Sequence, residues 1–247
     1  FRLTHLMRAR YFRRGGPMRY AISDIHGEYD LFMRLMDKIK FSAGDTLYVC
    51  GDIIDKGEQS ARLLKLLMNS DGVRCVLGNH EYAFLTYYWS MMRRSPKNFD
   101  EVLESLRSWF APYDGSPLDW DTMDKLEALP LYIEEEQFVC VHAGLPLDED
   151  MRTVAPQSVM PGMLLEDRSF MRPQVVPLNS KCVCFGHTPV RYVSDRDEIL
   201  AYRRLGRSGG SIGDYYKIHL DTGVYLSGVL GCFCIDDCRA RYVKRRI

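Results

Sequence analysis

Five short runs, SDIHG at 23–27, GDIID at 51–55, GNHE at 78–81, VHAG at 141–144 and GHTP at 186–189, each close an apolar β-type segment with a turn rich in metal-binding side chains. A twisted sheet gathers the loops at the carboxyl ends of its parallel strands into one crevice, so ligands remote in sequence converge on a small site. His, Asp and Asn converging there point to metal chemistry. The strands before these runs must therefore lie side by side with their ends aligned.

The intervening segments supply the remaining elements. Residues 18–24 read as a first strand, and Leu31, Leu35 and Ile39 recur at helical spacing, with Phe32 and Met36 widening the stripe. TLYVCGD at 46–52, the helical SARLLKLLMNS and VRCVLGN at 73–79 continue a βαβ pattern, which predicts a parallel sheet. From Tyr82 to Pro130 strand signals stop, and three helical stretches separated by Pro, Gly and Asp predict a helical cap inserted at 83–130. Its Tyr87, Tyr88, Trp89, Trp109, Phe110, Tyr113 and Trp120 fit core positions better than a groove wall. Strands resume at QFVCVHAG and KCVCFGHTP, joined by a long connection at 146–177 whose length suggests a functional loop. KIHLDTG, VYLSGVLGCFCID and ARYVKRR then predict three strands completing a second, antiparallel sheet, with RSGGSIGD at 207–214 as a turn or lid.

A chain of 247 residues with 46% hydrophobic content can bury a full core, which excludes a disordered chain. No apolar run reaches the roughly 20 residues needed to span a bilayer, and no apolar signal segment opens the chain, so a cytoplasmic protein with no membrane partner is expected. Residues 1–17 hold five Arg and no acid, leaving the remainder with a net charge of −5. That stretch reads as a non-catalytic leader, with 18–247 a single domain, and the acidic body argues against a nucleic-acid partner. Of eight cysteines, Cys50, Cys75, Cys140, Cys182 and Cys184 fall inside apolar strands and read as core, while Cys232, Cys234 and Cys238 lack the paired knuckle of a zinc site.

Four of the six histidines, His26, His80, His142 and His187, lie in the strand-end turns, whereas His219 sits inside a strand-like segment and reads as structural. Asp24 and His26 are two residues apart, so an extended backbone would point both side chains the same way. The neighbouring glycines permit tight turns and close approach to an ion or phosphate.

In order, D-x-H-G, G-D-x-x-D-x-G, G-N-H-E, a lone His before A-G, and G-H-T-P resemble the metal-dependent phosphoprotein phosphatase family within the calcineurin-like metallophosphoesterases, over about residues 18–225. The likeness is greatest to its compact bacterial and phage branch, which includes serine/threonine protein phosphatases and diadenosine-tetraphosphate hydrolases. It implies an α/β fold of two mixed β-sheets packed as a sandwich and flanked by helices. It also implies one divalent metal on Asp24, His26 and Asp52, and a second on Asp52, Asn79, His142 and His187. Manganese is the expected ion, with iron or zinc as alternatives. The implied reaction is in-line attack on phosphorus by a dimetal-bound hydroxide, with His80 protonating the leaving group and Asp55 orienting His80. Asn79, Lys56 and Arg168 are the expected phosphate-binding residues, and Asp221 is a supporting residue rather than a ligand. Where the family pattern reads D-R-G, this chain has Asp55, Lys56 and Gly57, so a planar guanidinium is replaced by a point charge.

The retained Asp55 leads to a phosphomonoesterase acting on phosphoserine or phosphothreonine of a phosphoprotein or phosphopeptide. Hydrolysis of dinucleoside polyphosphates is the alternative within the family, and a non-catalytic phospho-ligand binder is a weaker one, since no ligand is missing.

Overall fold

The computed structural model describes residues 16–94, 118–177 and 180–245. Two five-stranded mixed sheets face each other. The first has the order β10-β9-β1-β2-β3, formed by β1 (Arg19–Ile22), β2 (Thr46–Val49), β3 (Val73–Cys75), β9 (Val229–Cys234) and β10 (Arg239–Lys244). The second has the order β4-β5-β6-β8-β7, formed by β4 (Tyr132–Glu134), β5 (Phe138–Val141), β6 (Cys182–Phe185), β7 (Leu200–Arg203) and β8 (Tyr215–His219). Strands β1, β2 and β3 run parallel, as do β5, β6 and β8. This is the expected α/β sandwich, and it places the five punctuated strand ends at one edge.

Alternation along the strands divides the interior into layers. In β1, Tyr20 and Ile22 face a core shared with the helices, while Ala21 faces the second sheet. The helix-side core takes Leu31, Phe32, Leu35 and Met36 from α1 (Tyr29–Ile39) and Leu63, Leu64 and Leu67 from α2 (Ser60–Met68). Helix α3 (Asn79–Arg94) and α4 (Trp120–Glu127) complete it with Phe84, Tyr88, Met123 and Leu126. Asp119 caps α4 by accepting from the Thr122 amide at 2.9 Å.

Between the sheets lie Cys50, Cys140, Cys182 and Cys184 with Ala21, Val76, Ile218 and Leu220. Small side chains let the two sheets approach, and all eight cysteines are free thiols, seven of them buried. The outer face of the second sheet is covered by α5 (Pro161–Glu166) and the segment after it, through Leu164, Phe170 and Val175. The long connection is thus partly helical and contributes to the core.

The tail departs from expectation. KIHLD forms β8, parallel to β6 in the second sheet, whereas β9 and β10 form a hairpin that joins the first sheet through β1. VYLS is a short helix, α6 (Val224–Ser227), between glycines in left-handed conformation. The chain can switch sheets here because the α6 turn reverses direction between two strands of different layers. RSGGSIGD is a turn held by Asp214, whose carboxylate accepts from the amides of Gly209 and Gly210 at 3.0 Å each.

In the cap region, Tyr88 is buried against Phe84, while Tyr87 and Trp120 are exposed. Trp109, Phe110 and Tyr113 lie outside the described residues, as does most of the leader. No helix among the described residues is long and apolar enough to cross a membrane.

Candidate active site

Among the described residues, six of the nine non-glycine positions with left-handed backbone lie in the strand-end turns: Asp24, His26, Asp52, Asp55, Lys56 and His187. Non-glycine side chains adopt this conformation at a cost, and they persist in it where surrounding bonds over-determine the loop. Asp24 and His26 have φ of 51° and 47°, so a tight turn, not an extended strand, brings them together. Their loop is zipped to the next, with Asp24 N to Gly51 O at 3.1 Å, His26 N to Asp52 O at 3.0 Å and Gly27 N to Ile53 O at 2.7 Å.

Glu81 locks this arrangement, and its role was not read from sequence. Fully buried, its carboxylate accepts from four backbone amides: Asp52 at 2.9 Å, Gly78 at 3.0 Å, Ile53 at 2.8 Å and Ile54 at 3.0 Å. It therefore ties the GDIID loop to the start of α3. The signal available was an acid in the first turn of a helix, which ordinarily reads as a solvated dipole partner. Gly78 is required beside it, because a Cβ there would overlap Asp52 Oδ1 and lie 2.6 Å from Glu81 Oε2. Gly186 likewise leaves room for Ser23 and Asp24 where the two sheets meet.

Ring orientation is set by backbone carbonyls. His26 Nδ1 donates to Ile54 O at 3.0 Å, and His142 Nδ1 donates to Cys50 O at 2.8 Å, which leaves both Nε2 atoms as bare acceptors. Asn79 Oδ1 stands 2.9 Å from His142 Nε2 and 3.1 Å from His187 Nδ1, with Asp52 Oδ1 3.4 Å from His142 Nε2. With the His142 proton on Nδ1, its Nε2 meets Asn79 Oδ1 and Asp52 Oδ1 acceptor to acceptor, and such a cluster suits a cation. Burial holds His26 down at about 3, with the Lys56 charge adding to it, and holds His187 at about 4, so both rings are neutral as ligands must be. Burial, with Asp24 and Glu81 nearby, pushes the Asp52 carboxyl well up, a penalty that a bound cation relieves.

Among the described residues, two groups of side chains lie close enough together for an ion, His26 with Asp52 and His80, and Asp52 with His142 and His187. Asp52 is common to both, as a bridging ligand must be. Asp24 lies 4.0 Å from His26 Nε2, but its carboxylate also accepts from the His187 amide at 3.0 Å and from Ser23 Oγ. The residues present fit two ions, and Asp24 joins the sheets as well as facing the first.

Beside the ligands, His80 Nδ1 and Asp55 Oδ2 are 2.7 Å apart, and His80 Nε2 is 3.7 Å from Asp52 Oδ2. Burial disfavours charging His80, but the Asp55 bond and the Asp52 charge outweigh it and raise its pKa. Lys56 Nζ is 2.9 Å from His26 Nε2, at the edge of the first ion group. Arg168 comes from the segment after α5 and donates to Thr188 Oγ1 at 3.0 Å, which brings its guanidinium beside His187. His219 is buried, stacks on Phe185 and donates to Thr188 O at 2.6 Å, a bond that holds the turn carrying His187. Asp221 accepts from the Gly223 amide at 2.7 Å and supports the turn after β8.

Two mixed sheets bring two acceptor clusters that share one carboxylate together at their strand ends, an arrangement suited to a pair of divalent ions. The chain belongs to the calcineurin-like phosphoesterase family, whose pattern matches residues 20–210. Among curated relatives, it is 34% identical over 136 residues to the symmetrical bis(5'-nucleosyl)-tetraphosphatases of Escherichia coli K12 and of Shigella boydii serotype 18. That match covers 54% of this chain and 46% of each relative, so the chain spans about half the length of those proteins. A solved structure assigned provisionally as a diadenosine tetraphosphatase superposes with a TM-score of 0.62 at 20% identity, covering 95% of this chain and 96% of that one. A Saccharomyces cerevisiae protein serine/threonine phosphatase gives 0.52 at 14% identity, covering 95% of this chain and 82% of that one. Both structural matches speak to fold alone.

Proposed function

We propose that this protein hydrolyses dinucleoside polyphosphates of the diadenosine tetraphosphate type. The observation that carries hydrolysis of a phosphate compound is the acceptor cluster centred on Asp52, flanked by the His80–Asp55 pair. The tetraphosphatase relatives favour the anhydride substrate over the phosphomonoester, which reverses the order of preference taken from the motifs.

Divalent metals held by Asp24, His26 and Asp52 and by Asp52, Asn79, His142 and His187 would supply charge on the phosphate and a hydroxide nucleophile near neutral pH. Manganese remains the first choice for this mixed N and O donor set. Lys56, beside His26, and Arg168, beside His187, would neutralise phosphate oxygens, with Asn79 as a further phosphate contact. His80, held by Asp55, gives its Nε2 proton to the oxygen that departs. In a symmetrical cleavage, water adds to one inner phosphorus, the central bridging P–O bond breaks, and two nucleoside diphosphates result.

Protein serine/threonine phosphatase activity is the second reading, supported by the Asp55–His80 bond, which suits a poorer leaving group. Manganese-loaded protein assayed on diadenosine tetraphosphate and on a phosphoserine peptide decides between them. Nucleoside diphosphate release well above peptide turnover is expected; peptide turnover without cleavage of the dinucleotide overturns the reading.

A further inference from the structure

A groove of about 440 Å³ opens beside the metal-ligand cluster, and no role assigned so far uses it. It starts at Lys56, whose Nζ is 2.9 Å from His26 Nε2, and runs along the amino end of α1 to the exposed ring of Tyr225 in α6. We propose that this groove seats one nucleoside of the dinucleotide substrate, with Tyr225 as the platform for the base; the inference rests on the function proposed above.

Charge balance favours a neutral occupant. Arg34, Lys56 and Arg245 line the groove with Glu28, Asp30 and Glu58, three cations against three acids. Several are already engaged, since Arg245 pairs with Glu28, Arg34 donates to Lys244 O at 3.0 Å and Asp30 accepts from Gln59 Nε2 at 3.2 Å. A second phosphate would meet no net positive field there, whereas a nucleoside asks for hydrogen-bonding partners and an aromatic face. The volume lies within the range of small-ligand sites, roughly 300–1,000 Å³.

Tyr225 suits the platform. It is 53% exposed, and among the described residues its side chain makes no hydrogen bond or ring contact. Its helix is nonetheless fixed to the site: Asp221 O accepts from Val190 N at 2.8 Å, and Gly223 packs on Pro189 of the GHTP turn so closely that a Cβ would lie 3.1 Å from Pro189 Cβ. An aromatic ring held rigidly beside a phosphate site, yet idle in the fold, is suited to stacking a base. Tyr29, the other ring lining the groove, is already covered by the Arg62 guanidinium at 3.9 Å, so Tyr225 is the ring that remains available.

The test uses manganese-loaded wild type, Tyr225→Ala and Tyr225→Phe on diadenosine tetraphosphate and on inorganic tetraphosphate, which has the anhydride but no nucleoside. Removing a base-stacking ring costs about tenfold in binding, within the span found for single bases. The expected result is therefore an about tenfold rise in KM for the dinucleotide in Tyr225→Ala and an equal fall in its kcat/KM relative to tetraphosphate. Tyr225→Phe should restore both. Unchanged KM in Tyr225→Ala, or an equal loss on both substrates, overturns the nucleoside seat while leaving the hydrolase reading standing. Wild type that leaves the dinucleotide intact but cleaves phosphopeptide overturns both.

Discussion

His80 separates the two substrate readings at the scale of one residue. A nucleoside diphosphate leaves as an anion whose conjugate acid has a pKa of about 6, whereas a seryl alkoxide is nearly as basic as hydroxide, whose conjugate acid is at about 16. A general acid contributes roughly 10²- to 10⁴-fold where the leaving group needs its proton. His80→Asn should therefore cost about 10²-fold or more on a phosphoserine peptide and about tenfold or less on diadenosine tetraphosphate, read as kcat for each. Its partner makes a pH prediction. Burial works against a charged His80, but the Asp55 bond prevails and the pKa is raised, so the group stays protonated to higher pH than an ordinary imidazole. A raised folded pKa adds stability that is complete below the unfolded value, about 6.5, and is lost as pH rises through the folded value. Asp55→Asn should thus lower stability more at pH 6 than at pH 9, and should move the alkaline limb of the kcat profile to lower pH. Equal destabilisation at both pH values would disprove the pairing. At Lys56, the ammonium approaches His26 Nε2 at 2.9 Å, where a bound cation would repel it towards the phosphate. Lys56→Arg restores a bidentate donor and is expected to keep or raise kcat/KM, and a large loss would remove Lys56 from phosphate binding.

Among the elements, the start of α3 and the loop after β2 form one unit through Glu81, whose two oxygens accept from four amides. Glu81→Gln turns one acceptor into a donor facing two of those amides, and unsatisfied buried donors cost about 1–3 kcal/mol each. A loss of about 3 kcal/mol is expected in urea unfolding, with an unchanged m-value. Manganese affinity should weaken too, because Asp52 loses the bond on its own amide; a variant with wild-type midpoint would show that the four bonds carry no net stability. Glu81 also shows where sequence reading stops. Asp24, His26, Asp52, His142 and His187 are legible because each lies in the turn directly after a strand, so local pattern and shared chemistry point to one edge. Glu81 sits in a quoted motif, but its work depends on a loop 27 to 29 residues away, and only the fold reveals that distance closed. The tail misled for a related reason. Periodicity identifies strands, but it does not say which sheet has an edge to receive them, so the pattern alone puts β9 and β10 beside β8, whereas in the fold β9 pairs with β1 and β10 with β9. The strands β4 and β7 escaped because they are short edge strands whose partly exposed residues carry no apolar run.

For the molecule as a whole, the proposed ligand set spans the sandwich. Asp24, His26, Asp52 and Asn79 follow strands of the first sheet, while His142 and His187 follow strands of the second. Below them the sheets meet through small side chains such as Ala21, Cys50, Cys140 and Cys184, which bury little apolar area each. At the ligand end itself the layers face each other with buried acceptors, His142 Nε2 against Asn79 Oδ1 at 2.9 Å and against Asp52 Oδ1 at 3.4 Å. Without a cation that contact is repulsive, and with one it becomes the tie between the sheets. Metal should therefore act on global stability as well as on turnover. An ion present at 100 times its Kd, binding only the folded state, adds about 2.7 kcal/mol. For a chain of 247 residues, that is a rise in Tm of about 5–8 °C, read by calorimetry of chelated and manganese-loaded protein. Asp52→Asn removes the shared carboxylate and should abolish most of the metal-dependent rise. It should also raise the Tm of the chelated protein, since burial, with Asp24 and Glu81 nearby, penalises the Asp52 charge that the substitution removes. His142→Ala tests the opposite layer, and it should lose the same metal-dependent increment without the gain in the chelated state. If Asp52→Asn lost its turnover while keeping the full manganese-dependent rise in Tm, the ions would be held elsewhere, and the Asp52 bridge between the two sheets would not exist.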